Sequence, residues 1–184
     1  MATTAQFDIA RPRGDATRGT RDSVLAFFAL TGLPVGLFGL ANLLGEALGI
    51  LPLYFSPFGL PGWAGAVAHL AQLALLGSAY WALTQRDLHT RSRFWLMALI
   101  AAYIALPFVT PPLDSLQLSM VCTGLMLLAI ATATRIGAVS PLAGWLTAPL
   151  MAVLGLSSVM GLAISAAYAP PFAITQVNQA APAA

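Results

Sequence analysis

Apolar residues recur along this chain in long unbroken runs, not at the spacing of a half-buried surface helix or in the alternation of a strand. Five runs are free of charge: 24–44, 63–84, 94–110, 116–134 and 142–168. Spanning the hydrocarbon core of a bilayer takes roughly 20 apolar residues in a helix. An open strand in lipid leaves its backbone groups unpaired, and the alternating segments of a β-barrel are missing. The pattern predicts an all-α integral membrane protein, a bundle of five transmembrane helices over residues 23–169. Segment 1–22 is expected to be a disordered cytoplasmic arm, and 170–184 an extended, non-cytoplasmic tail.

Composition agrees with this pattern. Charged residues make up 8% of the 184 and apolar residues 59%, and the mean hydropathy is +0.83. So few charges cannot cover a water-exposed surface, so the lipid bilayer is the main partner. All eight basic residues are arginines, and they fall in three places: Arg11, Arg13, Arg18 and Arg21; Arg86, Arg91 and Arg93; and Arg135. With five helices all three places lie on one side. By the positive-inside bias that side is the cytoplasm, with the N-terminus in it. One helix more or fewer would scatter the arginines. The net charge of +2 is spread too thinly for nucleic acid.

The run 47–63, ALGILPLYFSPFGLPGW, stands apart. Pro52, Pro57 and Pro61 prevent one regular helix, yet Tyr54, Phe55 and Phe58 are too apolar for a solvated linker. Two readings are open: a belt lying in the membrane interface, and a lid folded over a pocket in the bundle. Small residues suggest close helix contacts, at Gly32 and Gly36, at Gly45 and Gly49, and at Ser157, Gly161 and Ser165. They could serve the bundle or a homodimer. Pro34, Pro107 and Pro149 mark expected kinks.

His69 is the candidate for chemistry. Intramembrane ionisable residues usually face the bundle interior and serve function. Gln72 lies three residues on, on the same helix face, and Leu76 and Tyr80 extend that stripe. Three roles are open for His69: a hydrogen bond across helices to Ser119, Thr123 or Ser157, a contact to a ligand, or axial ligation of a bound metal. His89 falls in the arginine loop, where it is expected to be solvated. No carboxylate pair, nucleophile triad or glycine-rich phosphate loop is present, and two distant histidines with the lone Cys122 are too few for a protein metal centre. The chain reads as a non-enzyme.

Several stretches resemble the TspO/MBR family of tryptophan-rich sensory proteins. They are the aromatic first outer loop, the P-x-W of Pro61-Gly62-Trp63, the pair Tyr80-Trp81, and TATRIGAVSPLAGWLTAPLMAVLG from Arg135 towards Pro149. The resemblance covers about residues 24–165. It implies a ligand site between the helices under the first loop, formed by Tyr54, Phe58, Pro61, Trp63, His69, Gln72, Tyr80 and Trp145. It also implies a tetrapyrrole or sterol-like ligand and a regulatory or transport role. Porphyrin, haem and (bacterio)chlorophyll are the candidate cofactors. The chain departs from the family pattern at Ala64-Gly65, Ile100, Tyr103, Val153 and Gly161, which suggests a shared scaffold with an altered site. The competing reading is an accessory subunit docked on a larger photosynthetic or respiratory membrane complex. The short loops suit a bacterial inner membrane.

The topology is testable. A thiol introduced by Ser92→Cys should label only from the cytoplasmic side, and one introduced by Asn178→Cys only from the other. Labelling of both from the same side would exclude five spans.

Overall fold

The computed structural model describes residues 14–56, 60–86 and 90–168, with side chains from residue 23 onward. All its regular structure is helical: α1 (Gly14–Ala47), α2 (Gly62–Thr84), α3 (Thr90–Val109), α4 (Ser115–Val139), the short α5 (Pro141–Leu146) and α6 (Ala148–Tyr168). Five spans are long and apolar enough to cross a membrane, with α5 and α6 together forming the fifth. The five-helix bundle is therefore the fold. The first helix starts earlier than the sequence suggested, at Gly14; extending an existing helix adds a backbone hydrogen bond per residue without a new nucleation cost. Residues 14–22, expected to be disordered, are thus helical. Residues 1–13, Phe58, His89 and the tail 170–184 lie outside the described residues.

α2 is the most buried span and α1 the least. α2 packs against α1, α3 and α5, while α4 packs most extensively against α6. Leu73, Leu76, Leu83, Leu96, Leu99, Ile136, Leu150 and Leu154 are almost fully enclosed. The surrounding surface is apolar, with Phe28, Leu40, Phe94, Leu127 and Val159 exposed as lipid-facing helices require.

Burying apolar side chains gives little driving force in lipid, so helices associate through close packing and hydrogen bonds. Both operate where α1 meets α2. Pro34 lacks the N–H that would bond the Leu30 carbonyl. Gly77 lies against that carbonyl, so close that a Cβ there would sit 2.5 Å from it. One residue on, the hydroxyls of Thr31 and Ser78 are 3.1 Å apart. α4 and α6 join through a ladder of small polar residues. Ser119 donates to the Ser158 carbonyl at 2.9 Å, Thr123 and Ser158 bond through their hydroxyls, and Ser115 bonds Ser165 at 2.9 Å. Gly161 lets the backbones approach, since a Cβ there would lie 2.9 Å from the Ser115 carbonyl. The Gly161/Ser165 stripe therefore serves the bundle. The Gly32 and Gly36 stripe does not, since added Cβ atoms there would meet nothing within 4 Å.

The ends are fixed separately. Asp114 caps α4 by accepting from Gln117 N–H at 2.7 Å, and the Gln117 side chain accepts from Asp114 N–H at 3.2 Å, a reciprocal capping box. At the arginine-bearing end, the Arg135 guanidinium stacks 4.3 Å from the centre of the Trp95 ring, holding α4 to α3. The kink expected at Pro149 is a break at Thr147, whose hydroxyl bonds the Gly144 carbonyl at 2.7 Å.

Gly77→Ala should lower stability by about 1–3 kcal/mol, the usual cost of overpacking a tight contact. Gly36→Ala should stay within about 0.5 kcal/mol of wild type. Unfolding in mixed micelles by increasing sodium dodecyl sulfate measures both, and equal losses would show that the α1–α2 approach is not tight.

Candidate functional site

Residues 50–56 form no helix, and hydrogen bonds to α1, α2 and α3 set their path. The Leu53 N–H donates to the Pro107 carbonyl at 2.9 Å. The Ser56 hydroxyl donates to the Pro61 carbonyl and accepts from the Gly65 N–H, both at 3.1 Å. Pro61, at the N-cap of α2, has no side-chain hydrogen bond to offer, so Ser56 takes over part of that role from the loop. Gly65 makes the seat, since a Cβ there would lie 2.5 Å from the Phe55 carbonyl. The loop thus rests on the end of the bundle away from the arginine loops.

Beneath it is a cavity of about 210 Å³. Leu53, Tyr54, Phe55 and Ser56 form its roof. Ala68, His69 and Gln72 come from α2, Tyr103 and Leu106 from α3, Leu118 and Cys122 from α4, and Val153 and Ser157 from α6. Of the two readings of the loop, the arrangement is that of a lid. No Lys, Arg, Asp or Glu is among the lining residues.

His69 is 6% exposed and sits in an aromatic cluster. Its ring stacks on Tyr103 at 4.3 Å between centres, tilted by 29°. Phe38 lies at 4.9 Å and Tyr54 at 5.9 Å. Its Nε2 is buried without a hydrogen-bond partner among the described residues. The bonds to Ser119, Thr123 or Ser157 considered from the sequence are not formed: Ser119 and Thr123 engage Ser158, and Ser157 donates to the Val153 carbonyl at 2.9 Å. Buried polar groups in folded proteins are nearly always satisfied, so a buried imidazole nitrogen with no protein partner marks a place for a ligand atom or a water. The Tyr103 hydroxyl donates to the Gln72 carbonyl oxygen, which leaves the Gln72 amide nitrogen as a donor. In the lid, partial burial raises the pKa of the Tyr54 phenol.

Tyr54, His69 and Gln72 are thus the expected site residues that meet at the cavity. Of the others, Phe58 lies outside the described residues, and Pro61, Trp63, Tyr80 and Trp145 do not line the cavity. Trp63 and Trp145 point outwards, 69% and 77% exposed, because each lies on a helix face turned to the lipid. Pro61 is exposed at the start of α2. Tyr80 packs half-buried against the core, more than two turns below His69. The sequence-based set missed Tyr103, Cys122 and Ser157. Gly65, Tyr103 and Val153, three of the positions set apart in the sequence, line the cavity. Among the described residues no cluster of three His, Cys, Asp or Glu could hold a metal ion. Compared with family models, curated proteins and solved structures, the chain matches none.

Gly65→Leu should displace the lid while leaving His69, Gln72 and Tyr103 in place. Proteolysis within residues 50–60 should then become faster in the folded protein, with the helical circular dichroism unchanged. An unaltered cleavage rate would mean that the loop does not rest on α2.

Proposed function

We propose that the protein binds a small, uncharged, mainly apolar molecule in the cavity beneath residues 53–56, on a scaffold resembling that of the TspO/MBR family, and acts in the sensing or transport of that molecule. One observation carries the reading: a buried imidazole nitrogen without a protein partner among the described residues belongs to a side chain that lines a mainly apolar, lidded cavity. Apolar pockets with a few placed polar groups are the usual form of small-molecule sites. The lining also bears on the ligand's size and charge. Its volume lies below the roughly 300–1,000 Å³ of typical ligand clefts, so a tetrapyrrole would have to lift the lid. A carboxylate brought inside would find no cation, and an unpaired buried charge is costly. Those features favour a ligand smaller than a porphyrin and without acid groups. Three of the six departures, Gly65, Tyr103 and Val153, line the cavity, which is compatible with a retained scaffold and a changed ligand. Nothing in this arrangement needs a catalytic group, and a binding role in a bacterial inner membrane suits it.

A second reading, the accessory subunit of a larger membrane complex, draws on α1. Its Gly32, Gly36 and Gly39 face open space on the least buried span, a surface that another helix could approach closely.

Binding of 2-naphthol, a neutral bicyclic ring with one hydroxyl, and of protoporphyrin to the purified protein separates these possibilities. Saturable 2-naphthol binding should weaken by about 1 kcal/mol in His69→Leu, the net value of one hydrogen bond, and by a similar amount in Tyr54→Ala through a lost aromatic contact. Preferred binding of protoporphyrin would restore the tetrapyrrole reading. No saturable binding of either, with purification in a large assembly, would favour the subunit.

A further inference from the structure

A second hollow of about 260 Å³ lies between α3 and α4. Ala102, Ala105, Val109 and Gly124 form much of its wall, and it contains no polar side chain. Short side chains leave the furrow open. Ala105, Val109 and Gly124 are exposed towards the lipid, and a Cβ on Gly124 would meet nothing within 4 Å. The groove is not isolated: Leu106 lines both it and the cavity that contains His69. The two hollows thus adjoin at Leu106 of α3, the inner one with His69 and Gln72 in its wall and the outer one wholly apolar.

We infer that the ligand is a tailed neutral lipid of the quinone or phenol class. Its ring lies in the cavity at His69, its isoprenoid or alkyl tail passes Leu106, and the tail rests in the α3–α4 groove. This rests on the reading of the cavity as a ligand site and adds the shape and class of the ligand. A ring oxygen suits the imidazole, which can donate to a carbonyl or accept from a hydroxyl. The absence of a cation from the lining disfavours fatty acids and phospholipids, whose charged heads would go unpaired. Alkyl chains from the bilayer touch every lipid-facing furrow. The tail of a molecule whose head is already held next door occupies this one at a far higher effective concentration than free chains do. Leu106 is then the gate by which the head reaches the cavity from within the membrane.

The test is photolabelling of the full chain in lipid nanodiscs. The probe is a 1,4-benzoquinone with a two-isoprene tail that bears a terminal diazirine, and an alkyl diazirine without a head is the control. Label from the quinone should concentrate in peptides of α3 and α4. It should fall about fivefold in His69→Leu, the factor expected for loss of one hydrogen bond worth about 1 kcal/mol. It should fall at least as far in Gly124→Leu, which fills the groove where there is open space. The alkyl control should label all lipid-facing helices, indifferent to His69→Leu. Ala105→Leu gives a second way of filling the groove should Gly124→Leu unfold, and thermal unfolding reports that. Quinone label spread like the control, or unaffected by His69→Leu, overturns the inference. Quinones that fail while 2-naphthol still binds overturn the inference alone, and failure of both removes the ligand site itself.

Discussion

Close approach of helix backbones is the constraint on which the rest of this structure depends. In lipid, an apolar side chain gains little by leaving acyl chains for a neighbouring helix, so a bundle needs contacts that lipid cannot imitate. Here those contacts are made by glycine and by small hydroxyl residues. Gly77 under the Leu30 carbonyl fixes α1 to α2, and Gly161 with its serine ladder fixes α4 to α6. Gly65 extends the same device to the loop, seating the Phe55 carbonyl on α2. The cavity is what remains where such contacts stop. Beneath the lid, Leu118 and Cys122 of α4 and Val153 and Ser157 of α6 form the wall facing His69 and Gln72 of α2.

Pro34 shows how backbone chemistry and packing are linked. A proline inside a helix usually costs stability because a carbonyl four residues earlier loses its donor. In this bundle that carbonyl, of Leu30, faces Gly77 in the interior, and the Thr31–Ser78 hydroxyl pair forms directly beside it. The glycine compensates through contact that a side chain would prevent. A polar defect in one helix is thereby matched by a missing side chain in the next.

Much of the fold was legible because membrane solvation imposes simple rules. Charge-free length gave the five spans, and the arginines gave their alternation, independent signals that had to agree. The cavity was only half legible. His69 and Gln72 stood out because polar side chains in an apolar run are expensive without a purpose, and Tyr54 because aromatics in a proline-broken loop must be covered. Trp63 and Trp145 misled, since tryptophan is at home both against a ligand and at the lipid surface, and only the rotation of the helix decides between them. That rotation is hard to read here: every face of these helices is apolar, so periodicity carries almost no directional information. Two stripes of small residues illustrate the same limit. Gly32 and Gly36 look in sequence like Gly161 and Ser165, yet the first pair faces open space and the second lies against α4.

If the cavity takes a ligand, as proposed, the absence of charge from its lining has a consequence for how that ligand is selected. A water-soluble binding site can use a charged anchor because the free ligand arrives from a solvent that carries ions. A site reached from within a bilayer receives molecules whose polar part is already small, and discrimination rests on one or two hydrogen bonds and on shape. The imidazole of His69, held between Phe38, Tyr54 and Tyr103, has little freedom to rotate towards another partner. A ligand oxygen that meets it gains a bond at small entropic cost, while a ligand without one leaves the nitrogen unsatisfied. The penalty for an unmade bond in such surroundings exceeds the net gain from a made one. On the proposed reading, selectivity at this cavity would therefore come more from rejecting wholly apolar lipids, which surround the protein in vast excess, than from tight affinity for the molecule it accepts.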